Sequence, residues 1–178
     1  MWQKILTYGI VAGLIVAVPM NLMMVFQKGH PPLAWGMVFG YVTMLIALSA
    51  VFVAIKRYRD RELGGVIRFW PALGLGLGIS VVAGIIYVFA WELSLAITHI
   101  DFGAAYADTL IAEKKAAGVS GDALAALTAE MDAFKVEYAN PLYRMPMTFA
   151  EIFPVGVLVS LVSAALLCNR RFLAARGA

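Results

Sequence analysis

The apolar positions of this chain fall in four long runs, Ile5 to Phe26, Ala34 to Ile55, Phe69 to Trp91 and Met147 to Cys168. Each is about the length needed to cross a hydrocarbon core, which takes about 20 helical residues for roughly 30 Å. The pattern predicts an all-α integral membrane protein: a four-helix transmembrane bundle with spans at about 5–26, 34–55, 69–91 and 147–168. The 178 residues are read as a single membrane domain, with one extramembrane helical hairpin between spans three and four.

The links support these boundaries. Gly29 and the pair Pro31-Pro32 stop the first run, because proline lacks the amide hydrogen a helix needs and clashes with the preceding turn. Gly64-Gly65 closes the second link with residues suited to a helix C-cap and reversal. Phe69-Trp70-Pro71 then opens span three, with proline expected at its first helical position. Trp35, Trp70 and Trp91 are placed at headgroup level, where amphipathic aromatic rings are favoured.

From about Ile100 to Asn140 the chain turns polar and alanine-rich. Gly118-Val119-Ser120-Gly121 divides this insert into two helical arms. Leu124, Leu127, Met131, Phe134 and Tyr138 recur at spacings of three and four, and Phe102, Tyr106 and Leu110 form a matching stripe on the first arm. Asn140-Pro141 ends the second arm.

Composition sharpens the class. Hydrophobic residues make up 62% of the chain and charged residues only 14%, against about 25% charged in soluble domains. The first run is too long for a secretory h-region and lacks a small-x-small cleavage site, so it is read as a retained helix. The lone Cys168 allows no internal disulfide.

Charge gives the spans a direction. Lys4, then Lys56, Arg57, Arg59, Arg61 and Arg68, then Arg170, Arg171 and Arg176 share one side with only Asp60 and Glu62. The acidic residues Asp101, Asp108, Glu113, Asp122, Glu130, Asp132 and Glu137 dominate the other. By the positive-inside rule both termini and the second link are cytoplasmic and the hairpin is external. A basic pI of about 9.1 therefore calls for no nucleic-acid partner.

Ionisable groups within spans are functional candidates because inserting them is costly. Glu151 lies just inside the outer boundary of span four, Glu92 follows Trp91 at the belt, and Asn21 has a comparable depth on span one. The three form a candidate polar layer beneath the hairpin. Glu92 in particular is read as a carboxylate wetted at the interface. Small residues four apart, Gly9/Gly13, Gly36/Gly40, Gly74/Gly78 and Gly156/Ser160, are candidate helix-packing positions that let backbones approach closely. Gly9/Gly13 and Gly74/Gly78 are expected to cross directly, since spans one and three run the same way. Pro19 and Pro154 are read as packing kinks. The methionines Met20, Met23 and Met24 are read as apolar filler. No spacing points to a metal site, a cofactor or a catalytic residue, and no enzyme is expected.

Tyr58-Arg59-Asp60-Arg61-Glu62-Leu63-Gly64-Gly65-Val66-Ile67-Arg68-Phe69, the glycine-rich third span, the polar hairpin and Phe149-Ala150-Glu151-Ile152-Phe153-Pro154-Val155-Gly156 together carry a resemblance over nearly the whole chain. The chain resembles the small bacterial inner-membrane proteins grouped as domain of unknown function 4199; Arg61 stands where lysine is as often expected. The resemblance implies the same four-span architecture in a bacterial inner membrane, with Gly64, Gly65, Glu151, Pro154 and Gly156 in a shared pattern. It implies no activity. The expected function is a non-enzymatic interaction or accessory subunit, in contact with the lipid bilayer and with a second copy or a membrane protein partner. The alternative is a small proton-linked carrier using Glu151, with Asn21 and Glu92 nearby.

Overall fold

The computed structural model describes residues 1–26 and 33–173, with side chains described for 1–24 and 38–173. The side chains of Trp35 and Gly36, the Gln27–Pro32 link and Arg176 lie outside the described residues. Among the described residues there are six helices: α1 Trp2–Phe26, α2 Leu33–Glu62, α3 Phe69–Thr98, α4 Phe102–Ala116, α5 Gly121–Ala139 and α6 Pro141–Leu167. Helices α1, α2, α3 and α6 are long and apolar enough to cross a membrane. Helices α4 and α5 form the hairpin between the third and fourth of them.

The helices outrun the apolar stretches that predict them. At about 1.5 Å per residue, α3 is about 45 Å long and passes Trp91 by roughly two turns. Helix α2 continues through the basic segment to Glu62 because lysine, arginine and glutamate are good helix formers and no proline interrupts them. It stops where Gly64 and Gly65 adopt positive φ of 61° and 85°, and the Gly65 amide closes back on the Arg59 carbonyl at 2.9 Å. Glycine reaches that left-handed conformation without a Cβ clash. Pro71 stands at the third residue of α3 instead of the first, since Arg68 serves as the N-cap and the helix begins at Phe69.

The hairpin follows the side-chain pattern closely. Asp101 caps α4 by accepting from the Ala104 amide at 2.9 Å, and Gly118 and Gly121 turn the chain with positive φ. Asn140 ends α5 and also caps α6, its side chain accepting from the Leu142 amide at 3.0 Å with Pro141 at the first helical position. The aromatic stripes meet: Tyr106 packs on Phe134 at 5.7 Å and Phe102 on Tyr138 at 5.9 Å between ring centroids.

In the bundle, α1 packs on α2 and α3, and α6 packs on the same two helices, giving the cyclic order α1, α3, α6, α2. The core contains Val16, Leu48, Val51, Ile55, Leu75, Ile79, Ile152 and Leu167. Close approach comes from glycine facing a larger side chain. A Cβ on Gly9 would lie 2.5 Å from Val82 Cβ, one on Gly13 2.7 Å from Ile86 Cβ, and one on Gly78 2.8 Å from Ile5 Cδ1. Helices α1 and α3 therefore interlock as bulky residues seated over glycines. Gly9, Gly13 and Gly78 all lie in this α1–α3 contact, each under a bulky side chain and not against another glycine.

Between α3 and α6 the pattern is reciprocal. Gly156 faces Ser80, Gly76 faces Ser160, and the two hydroxyls stand 3.3 Å apart. Each serine also donates to its own helix four residues back, Ser80 to the Gly76 carbonyl at 3.0 Å and Ser160 to the Gly156 carbonyl at 2.7 Å. Such contacts substitute for the hydrophobic drive that lipid removes. Gly40 and Gly74 depart from expectation: a Cβ on either would meet nothing within 4 Å, so among the described residues neither packs against a neighbouring helix.

Candidate functional site

The last turns of α3 organise the hairpin end of the bundle. Tyr87, Trp91 and Ser94 are spaced by four and three, so they share the buried face of that helix, with Glu92 beside them. Two of the candidate polar residues engage this face, Asn21 at Ser94 and Glu151 at Tyr87, while Glu92 is paired with Arg144 of α6. Asn21 accepts from the Ser94 hydroxyl, and its own amide nitrogen donates to the Ala17 carbonyl at 2.9 Å. The same Ser94 hydroxyl hydrogen is shared with the Ala90 carbonyl, 2.8 Å from the oxygen. This pair ties α1 to α3.

Glu92 is not a free, wetted carboxylate. Arg144, near the start of α6, grips it with two parallel bonds, Nε to Oε1 at 2.7 Å and Nη2 to Oε2 at 2.5 Å. The third arm of the guanidinium, Nη1, donates to the Tyr138 carbonyl at 3.0 Å, and the group lies 5.6 Å from the centre of the Tyr138 ring. A planar fork of this kind suits two-point recognition of a carboxylate. One arginine thus joins α3, α5 and α6.

Trp91, expected at an aromatic belt, is buried beneath the hairpin instead. Its indole nitrogen donates to the Tyr138 hydroxyl at 2.8 Å, and its ring meets Phe102 edge-on at 4.8 Å. The Tyr138 hydroxyl accepts from the indole while keeping its own proton, and burial pushes its pKa further above the ordinary phenol range. Gly103 allows this approach, since a Cβ there would lie 3.2 Å from the Tyr138 ring.

Glu151 stands apart from both contacts. Its Oε2 lies 3.4 Å from the hydroxyl of the buried Tyr87, which donates to it, and the residue is exposed on the surface of the bundle. Seven residues separate it from Arg144, about 10 Å along α6. The predicted polar layer is therefore three separate contacts at different heights on α3: Asn21 with Ser94, Glu92 with Arg144, and Glu151 with Tyr87.

Sequence reasoning passed over Arg144, Tyr138, Tyr87 and Ser94 as participants. Asn140-Pro141 was the available signal for Arg144, because a helix restarting at Pro141 carries Arg144 toward Glu92 on α3. A second polar centre lies at the opposite end, where the end of α2 meets the residues that follow α6. Arg59 is fully buried; its Nη1 donates to the Phe172 carbonyl at 2.9 Å and the Leu167 carbonyl at 3.4 Å, its Nη2 to the Leu173 carbonyl at 2.6 Å, and its Nε to Asp60 at 2.7 Å. Among the described residues no group of three or more His, Cys, Asp or Glu comes together to hold a metal.

The geometry defines a multi-pass helical membrane protein whose extramembrane hairpin is locked to the bundle by buried and half-buried polar contacts. The family described as "Protein of unknown function (DUF4199)" matches residues 7–169, and the chain belongs to that family. No curated protein and no solved structure matches it.

Proposed function

We propose that this chain is a non-enzymatic interaction or accessory subunit of a bacterial inner membrane, with both termini cytoplasmic and the α4–α5 hairpin presented to partners on the outer side. The observation that supports this most is the rigid docking of the hairpin through Arg144, Glu92, Trp91 and Tyr138. A docked arm presents a defined surface and loses little ordering entropy when a partner binds. At its base Val136 and Leu142 are 76% and 81% exposed. Exposed apolar side chains beside charged ones are common features of association surfaces.

Tagged protein purified from native membranes under mild detergent tests the reading. A stoichiometric partner chain or a second copy is expected, and the paired substitutions Val136→Glu and Leu142→Glu should reduce its recovery at least tenfold. Recovery of monomer alone from the wild type contradicts the proposal.

The alternative, a proton-linked carrier, draws support from Glu151, an exposed carboxylate in a membrane-spanning helix with Tyr87 as a distant partner. In vesicles reconstituted with the wild type and showing proton flux, Glu151→Gln should abolish that flux. Unchanged flux removes the carrier reading.

A further inference from the structure

We propose that the face shared by α1 and α2 at the terminal end of the bundle is a binding site for one anionic phospholipid, with Arg57, Tyr8 and Arg61 holding the headgroup phosphate. Lys4, Lys56 and Arg59 at this end already have an acidic partner. Asp60 pairs with Lys56 at 2.6 Å and with Arg59 at 2.7 Å, while Glu62 pairs with Lys4. These two carboxylates are the acidic residues of that end, and both are engaged. Arg57 and Arg61, exposed and one turn apart on α2, form no ion pair among the described residues.

Arg57 is nevertheless held in place. Its Nη1 donates to the Tyr8 hydroxyl at 3.2 Å across the α1–α2 contact. That leaves the tyrosine proton and the other guanidinium hydrogens free to donate outward, a donor set suited to phosphate oxygens. Trp2 and Trp70, both about three-quarters exposed at the starts of α1 and α3, mark this level as the headgroup region.

The surface running inward from the cations favours a lipid over a soluble phosphate. Val11 and Ile15 follow Tyr8 at spacings of three and seven on α1, and Val53 and Ile46 precede Arg57 at four and eleven on α2. All four are exposed, and these spacings keep them on the same helical stripes as the polar residues. A phosphate-binding head above a continuous apolar path matches the two ends of a phospholipid. Arg68, Arg170 and Arg171 remain to orient the chain, so the site is separable from the topology signal.

Native mass spectrometry of the full chain in detergent, titrated with phosphatidylglycerol or with phosphatidylcholine of the same acyl chains, tests the site. Each basic residue near an anionic surface is worth about fivefold in affinity, so Arg57→Gln with Arg61→Gln should weaken phosphatidylglycerol binding roughly thirtyfold and leave phosphatidylcholine unchanged. Arg61→Gln alone, which removes no internal hydrogen bond, should give about fivefold, and Tyr8→Phe a few-fold loss by freeing Arg57. Arg68→Gln should have no effect on the tightest site. Equal affinity for the two lipids in the wild type overturns the proposal, as does undiminished phosphatidylglycerol binding in Arg61→Gln. Displacement of the lipid by millimolar inorganic phosphate would also overturn it, because the apolar path would then contribute nothing.

Discussion

Arg144→Met should release the α4–α5 hairpin from the bundle and destabilise its docked state by about 2–3 kcal/mol. The estimate lies below the 3–5 kcal/mol typical of breaking a fully buried ion pair, because both side chains retain some exposure. The loss has two sources. Glu92 is left as a half-buried carboxylate without its guanidinium, and the Tyr138 carbonyl loses a charged donor. Hydrogen exchange of the chain in lipid nanodiscs should show faster exchange throughout α4 and α5, with α1 and α2 little changed. Adding Glu92→Gln to Arg144→Met should recover part of the loss, since it removes the orphaned charge; two residues in direct contact are expected to be non-additive. Arg144→Lys should fall between, because an ammonium keeps the charge but cannot span two carboxylate oxygens and a carbonyl together. Wild-type exchange in Arg144→Met would show that the aromatic contacts alone dock the hairpin.

Arg59→Met carries an expected loss of about 3–4 kcal/mol, since the buried guanidinium serves carbonyls from Leu167, Phe172 and Leu173 and the Asp60 carboxylate. The Leu167 carbonyl belongs to the last turn of α6, where orphan carbonyls and the negative end of the helix dipole favour a cation. The Leu173 carbonyl comes from a residue at φ 45°, a left-handed conformation disfavoured for leucine, so the arginine also holds a strained turn. Thermal unfolding in detergent should fall by several degrees. Trypsin should cut after the exposed Arg170 and Arg171 faster than in the wild type, because the turn that carries them loses its anchor. Arg59→Lys should rescue only partly. Unchanged melting and unchanged cleavage would mean that packing of Phe172 on Phe52, at 6.5 Å, holds the turn without the arginine.

These two arginines show why much of the site was illegible along the chain. Arg59 sits in the run Lys56-Arg57-Tyr58-Arg59-Asp60-Arg61, where composition cannot distinguish a buried cation from its exposed neighbours. Only the position of the α6 C-terminus, more than a hundred residues away, does so. Glu92 and Arg144 are likewise 52 residues apart. Read alone, Glu92 next to a tryptophan is a wetted interfacial carboxylate; read with α6 against α3, it is half of a clamp. Trp91 was misplaced for the same reason, because a belt tryptophan and a buried one differ in what lies above them and not in their local sequence. Gly74 and Gly40 have the spacing of packing glycines yet meet no neighbour among the described residues, since a small-residue interval does not say which side of the helix meets another.

The hairpin was more legible. Its seam rests on spacings of three and four, and those spacings have one structural reading once Gly118 and Gly121 force the chain back on itself. Which of its residues would also grip the bundle depended on the restart of α6 at Pro141, a turn and a half before the apolar run begins.

The sequence by itself determined the four spanning helices, the interposed helical hairpin and its internal seam. Hydrophobic length, helical periodicity and turn-forming residues are local properties, and the bilayer makes helix the available way to satisfy a spanning backbone. Tertiary structure alone decided which helices are neighbours, which glycines are covered, and which charges are partnered. Those outcomes depend on contacts between residues far apart in the chain, where a few ångströms separate a wetted carboxylate from one held by an arginine fork.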